Sequence, residues 1–280
     1  MPVFATPEPI TATIDVSVAD VRIVAGERTE TTVEVEPADP SDNDDIKAAG
    51  RTRVEFTDGV LLVKGPKYTT KLFGKGGALH VTVELPAGSR VRAVSAMGDY
   101  HVSGRVGDSR VKTSVGNIHV DEASRIEANT ATGDIFVGRA TGHAELGTGT
   151  GELRIREIDG TAELKNSNGE TRVGEVTGDL RVSTANGDIL VDLAHAGVHA
   201  KTAAGDVRIG EVIRDAVVLD TAVGEIEVGI REGSAAWLEL SSLTGAVRNS
   251  LAASDGPSGT AETVQIKARS YTGDIVIRRA

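Results

Sequence analysis

The chain has 280 residues, of which 33 are glycine and only eight are aromatic (four Phe, three Tyr, one Trp), a profile of many short strands and small aliphatic packing rather than long helices. Its net charge of -11, with 30 basic residues dispersed among 41 acidic ones, excludes the clustered basic stripe that nucleic acid requires. Cysteine is absent, which removes disulfides and thiolate metal sites and leaves only His and carboxylates as possible ligands.

The amino-terminal stretch MPVFATPEPITATIDV has no basic start followed by an apolar segment, so no secretory signal is expected and a cytoplasmic location follows. No apolar run approaches the ~18 residues of a membrane span, and GVLLV at 59 to 63 is typical of the longest. Residues 1 to 88 contain strand-like stretches at irregular intervals: ITATIDVSV, DVRIVAG, TTVEVEP, RVEF, GVLLVKG and LHVTVELPAG. Asp20 to Ile23 repeats the wording of Asp206 to Ile209. A short helix is expected near Ser41 to Ala49 with Ser41 at its cap. The whole of 1 to 88 reads as irregular first coils forming an amino-terminal cap.

From residue 89 the chain becomes regular. Gly133, Gly142, Gly151, Gly160, Gly169, Gly178 and Gly187 recur nine apart. Two and four residues after each glycine stand mostly aliphatic residues, as in Ile135 and Val137 or Leu180 and Val182, with a variable residue between them. That is strand alternation with a period of two, and the glycines mark tight corners. A second column has twice the period: Ser95, Thr113, Thr130, Thr148, Asn166, Thr184, Thr202, Thr221, Ser242 and Ser270. Two nine-residue units therefore make one coil.

The pattern predicts an all-β fold, a single-stranded parallel β-solenoid of about 18-residue coils stacked ~4.8 Å apart. Residues 89 to 280 form the regular part, with a loop insertion at 250 to 262, continuous with the cap in one domain. Ile135, Leu153, Ile189 and Val207 form its inward ladder. Beyond Tyr271 only TGDIVIRRA remains, so Ile275 and Ile277 are expected on an open edge guarded by Arg278 and Arg279.

Residues two positions into alternate units are acidic or Asn: Asp99, Asn117, Asp134, Glu152, Glu170, Asp188, Asp206, Glu225 and Asp274. Such a column invites a calcium reading. Counter-charges on the same strands (Arg154 beside Glu152, Arg172 beside Glu170, Arg208 beside Asp206) and the absence of a GGxGxD turn favour a solvated, charge-paired face. The hydroxyl column suits a corner stack bonded to neighbouring backbone better than a displayed threonine array. His101 and His119 fall on one face and can touch. GTGTGE at 147 to 152 keeps the repeat register and has no helix after it, so it is not a phosphate loop. HExxH pairs, nucleophile elbows and cysteine nucleophiles are absent from the sequence. No catalytic, cofactor-binding or metal-ligating residue is therefore assigned, and an enzyme is not expected.

EPITATIDVSVADVRI, RTRVEFTDGVLLVKGPK, HVTVELPAGSRVRA and the repeated TGDIxV units resemble a family of uncharacterised bacterial β-strand-repeat proteins labelled "putative adhesin". The resemblance covers nearly the whole chain and implies a β-solenoid without a catalytic motif or cofactor. The expected role is a non-catalytic scaffold or protein-interaction module, with a protein partner or self-association through the carboxyl-terminal coil, no nucleic acid and no membrane insertion. The alternative is a carbohydrate-binding or carbohydrate-cleaving parallel β-helix.

Overall fold

A computed structural model describes residues 1–67, 77–251 and 262–280. Most of the expected insertion at 250 to 262 lies outside the described residues. The chain divides into two compact units, Met1–Thr141 and Gly142–Ala280.

Unit one runs β1 (Val3–Ala5), β2 (Thr11–Asp15), β3 (Ala19–Gly26), β4 (Glu30–Pro37), α1 (Asn43–Arg51), β5 (Arg53–Thr57), β6 (Val60–Lys64), β7 (Leu79–Pro86), β8 (Arg90–Val94), β9 (Tyr100–Lys112), β10 (Ile118–Thr132) and β11 (Ile135–Ala140). All six strand-like stretches of residues 1 to 88 are strands. Parallel ladders stack β6 on β2 and β2 on β8, and on the other face β7 on β3 and β3 on β9. β2 and β3 therefore lie inside β6 and β7, although they precede them in the chain.

Antiparallel strands close this end. β5 folds back on β6 through Asp58 and Gly59, whose positive φ values of 49° and 76° suit the twist of a tight hairpin. β4 lies antiparallel on β7, and β1 on β4. The helix starts one residue later than expected, because Asp42 rather than Ser41 is its cap: Asp42 Oδ1 accepts the N–H of Asp44 at 2.7 Å. Ser41 instead donates its hydroxyl to Asp39. Asp45, largely buried, accepts the backbone N–H groups of Asp39 and Ala78 and so pins the helix beside the closing strands.

Unit two runs β12 (Ala144–Thr150), β13 (Leu153–Ile158), β14 (Ala162–Asn168), β15 (Thr171–Val176), β16 (Leu180–Asn186), β17 (Ile189–Ala194), β18 (Val198–Ala204), β19 (Val207–Val212), β20 (Asp215–Val223), β21 (Ile226–Ile230), β22 (Ala235–Thr244), β23 (Val247–Asn249), β24 (Thr263–Thr272) and β25 (Ile275–Arg279). Even-numbered strands from β12 to β20 stack parallel on one face and odd-numbered strands from β13 to β21 on the other. Partners are 18 apart up to β19, as in Ala162 with Leu180 and Leu180 with Val198, which is the coil length the hydroxyl column implies, and 19 apart where β20 and β21 join, as in Val198 with Val217. Ile135, Leu153, Ile189 and Val207 are all buried in their units, as the inward register requires.

The last two coils stack out of chain order. β24 pairs with β20 on one side and β22 on the other, and β25 likewise lies between β21 and β23. The expectation of an open edge at Ile275 and Ile277, and of self-association through that last coil, is thereby corrected: Ile275 faces Ile226 on one side and Val247 on the other. Among the described residues the free side belongs to β22 and β23. Two arginines lock the arrangement. Arg278 Nε donates to Glu227 at 2.7 Å, and Arg279 donates to the carbonyls of Arg231 and Ser234 at the turn leaving β21.

Candidate functional site

Many members of the two residue columns that could have carried chemistry join one coil to the next. Each acidic corner residue follows a glycine whose positive φ and close backbone approach exclude a side chain; a Cβ at Gly187 (φ 143°) would overlap the Gly169 carbonyl oxygen. At Asp99, Asn117, Asp188 and Asp206 the side chain then reaches forward one coil. Asp188 Oδ1 accepts the N–H of Asp206 at 2.8 Å, and Asp206 Oδ1 that of Glu225 at 2.8 Å. In unit one Asp99 Oδ1 accepts the N–H of Asn117 at 2.7 Å, and Asn117 Oδ1 that of Asp134 at 2.8 Å. Asn serves as well as Asp because the bond needs an acceptor, not a charge. Among the described residues no group of three or more His, Asp or Glu is placed to hold a metal ion.

The counter-charge pairs fall largely between coils rather than along one strand. Arg154 does reach Glu152, at 3.4 Å, but Arg172 pairs with Asp192 instead of Glu170, and Arg208 with Glu227 instead of Asp206. The hydroxyl column points inward. Thr202, Thr221 and Ser270 donate to the carbonyls of Gly187, Gly205 and Gly224, the corner glycines of the coil below, at 3.0 to 3.2 Å. Ser242 donates to Gly273 in the same way, so the column follows the spatial order of the coils rather than the chain order.

Two surface features stand out among the described residues. On unit one the His101 and His119 rings stack with centroids 4.7 Å apart, and Phe136 continues the stack at 4.6 Å. Contact between the histidines is readable from their spacing. The third ring is missed because its coil is one residue short, Ile118 pairing with Ile135.

On unit two a shallow groove runs along the outer face of the even-numbered strands. One stretch of about 710 Å³ is lined by His143, Asp179, Arg181, Gly197 and His199 among others, and a second of about 470 Å³ by Trp237, Gln265 and Lys267; both include Ala216 and Val218. The depression arises at Gly197 and Ala216, where a missing and a one-carbon side chain stand between Asp179 on one side and Gln265 on the other. Along its rim Glu163 is held below the usual carboxylate range by a hydrogen bond from Lys165, whose own pKa is raised by the same contact. Glu239 is likewise lowered by hydrogen bonds from Lys267, at 3.0 Å, and Arg269, at 3.1 Å. The groove thus carries fixed charges of both signs and ends at Trp237, the chain's single tryptophan, whose surface is 67% exposed. Sequence periodicity could not find it, because its members fall outside the repeated columns and converge only when β22 is placed beyond β24.

A family model described as Toastrack DUF4097 matches residues 11–278. The chain is similar to solved structures at low identity: a "putative adhesin" from Parabacteroides merdae (14% identity, 82% of this chain and 94% of that one, TM-score 0.48) and a "putative adhesin" from Bacteroides fragilis (12%, 99% and 95%, 0.42). A "Putative lipid binding protein" from Parabacteroides distasonis is similar at 12% identity over 100% of this chain and 95% of that one, with TM-score 0.42. A comparison with curated proteins finds no match. The family match spans nearly the whole chain, and with the parallel 18-residue coils described above it shows that this protein belongs to the Toastrack DUF4097 family of β-solenoids.

Proposed function

We propose that the protein is a non-catalytic interaction module whose unit-two groove receives a protein partner. The observation that carries this reading is the contrast between the columns and the groove. Asp99, Asn117, Asp188 and Asp206 and the hydroxyls of Thr202, Thr221, Ser242 and Ser270 are engaged in bonds between coils, whereas the groove presents Asp179, Arg181, His199 and Lys267 on a β frame beside an exposed tryptophan. Charges of both signs around an apolar anchor are what a protein interface uses for register and affinity. The test is cross-linking and affinity capture from the native cell with the full chain and with Arg181→Glu and His199→Glu. A specific partner retained by the parent and lost by both variants supports the reading; capture that ignores both variants removes the groove from it.

A second reading, carbohydrate binding, draws on one observation. An exposed indole beside the Gln265 amide is the pairing of ring face and hydrogen-bonding group that sugars stack on. Because Trp237 is the only tryptophan, its fluorescence reports directly on such binding. Titration with oligosaccharides leaves that signal unchanged under the protein-partner reading, and a saturable change would favour the sugar.

A further inference from the structure

We propose that the free side of β22 pairs antiparallel with β22 of a second copy, about a two-fold axis passing through Leu240. The proposal concerns the open strand edge rather than the outer groove and goes beyond the function proposed above; the two share Trp237, and Leu240 and Leu243, which do not line the groove, test the edge alone.

Among the described residues nothing pairs with the outer side of β22, and the strand has the marks of an interface edge. Exposed edge strands are ordinarily short, charged or interrupted by proline. This one spans Ala235–Thr244 with the sequence AAWLELSSLT, and its single charge is Glu239. Its inward residues Leu238 and Leu240 are only half-buried, whereas the equivalent Val217, Leu219, Ile266 and Ala268 of the two coils beneath are at most 2% exposed. Its outward residues include Trp237 and Leu243, exposed by 67% and 77%. Because the N–H of Ala235 is used toward β24, alternation turns the backbone groups of Ala236, Leu238 and Leu240 to the free side.

The side chains select a register. An antiparallel pair must oppose residues of the same face, so the two-fold axis near the strand's middle passes through Glu239 or through Leu240. The first choice sets two Glu239 carboxylates against each other, and like charges directly opposite are unfavourable. The second sets Leu240 against its own copy, Leu238 against Ser242 and Glu239 against Ser241. It also sets Trp237 against Leu243 twice, joining the two most exposed apolar side chains of the strand. The contact would cover the two exposed Trp237 and two exposed Leu243 side chains together with the edge backbone. The two-fold arrangement also closes the edge, so it ends at a dimer rather than a filament.

The test is sedimentation of the full chain over a concentration series, beside Leu243→Lys and Leu240→Lys. Leu243 is mostly solvated, so its replacement leaves the fold intact even if Leu240→Lys weakens the terminal coil. The expected result is a monomer–dimer equilibrium whose dissociation constant rises about tenfold or more in Leu243→Lys. Register is read separately: the natural chain has no cysteine, so Leu240→Cys is expected to form a covalent dimer under mild oxidation and Glu239→Cys is not. A chain that remains monomeric at high concentration, a dimer indifferent to Leu243→Lys, or cross-linking stronger at 239 than at 240 would each overturn the proposal.

Discussion

Arg278, on the last strand of the chain, donates from Nε to Glu227 Oε1 at 2.7 Å, and Arg208 reaches the other oxygen of the same carboxylate at 2.8 Å. One side chain thus ties β25 and β19 to β21, three successive layers of one face. The Arg278 hydrogen bond is the main cause that lowers the Glu227 pKa, against the opposing effect of partial burial. A lowered carboxylate stabilises the fold above its ordinary pKa, and that contribution disappears as pH falls through the lowered folded value. Glu227→Gln is expected to cost about 0.5–1 kcal/mol near neutrality, as a network of partly exposed pairs does. The gap to the parent should close in strong acid. Denaturant melts of both proteins at neutral pH and near pH 3 check this, and a gap independent of pH would contradict it.

Gly187→Ala is expected to cost roughly 3 kcal/mol or more, because it combines a positive φ with overlap of the Gly169 carbonyl, which is backbone and cannot yield. Gly26→Ala meets nothing within 4 Å and should leave the melting temperature nearly unchanged. Thermal melts of the two variants separate a steric role of the corner glycines from a general loss of chain flexibility.

The corner carboxylates act as acceptors, so Asp188→Asn should be nearly neutral while Asp188→Ala costs about 0.5–1 kcal/mol through the lost bond to the Asp206 N–H. On the same grounds millimolar calcium is expected to leave the melting temperature in place, since a ligand that binds only the folded state must raise it. A rise reversed by chelator would restore a metal role for the column.

Within the hydroxyl column, Asn166 is the exception. Its Nδ2 takes the carbonyls of both Gly151 and Gly169, while its Oδ1 and the neighbouring Thr184 hydroxyl are buried without partners. Asn166→Thr is expected to stabilise by about 1 kcal/mol, removing one orphaned acceptor and freeing the Gly169 carbonyl for Thr184. Thr221→Val should lose about the same amount, and Thr184→Val nothing. Equal losses at 184 and 221 would refute this account of the column.

The repeat unit was legible because its causes are local: Gly187 must turn, Ile189 must face inward and Thr202 must reach the carbonyl beneath it, each at a fixed spacing. Stacking order was not. β20, β22 and β24 carry the same alternation, so the inward pattern is unchanged when two coils exchange places; only the bonds of Arg278 and Arg279 and the solvated Trp237 and Leu243 mark the difference, and these are single residues rather than a period. The groove was hidden for the same reason. At the amino end Asp42 displaced Ser41 as the helix cap because Ser41 is drawn to Asp39, a choice between adjacent capping residues that spacing does not resolve.

The exchanged order of the last two coils is the most direct point of attack, since it fixes both the open edge and the groove. Val218 faces Lys267, and Lys267 faces Glu239, in adjacent parallel strands, whereas Val218 and Glu239 are separated by the whole of β24. Paired cysteines in this cysteine-free chain read the order as disulfide formation, which needs Cα atoms within about 7 Å. Rapid bridging is expected for Val218→Cys with Lys267→Cys and for Lys267→Cys with Glu239→Cys, and none for Val218→Cys with Glu239→Cys. Efficient intramolecular bridging of 218 to 239, with none between 218 and 267, would mean that the coils stack in chain order and would contradict the exchanged order.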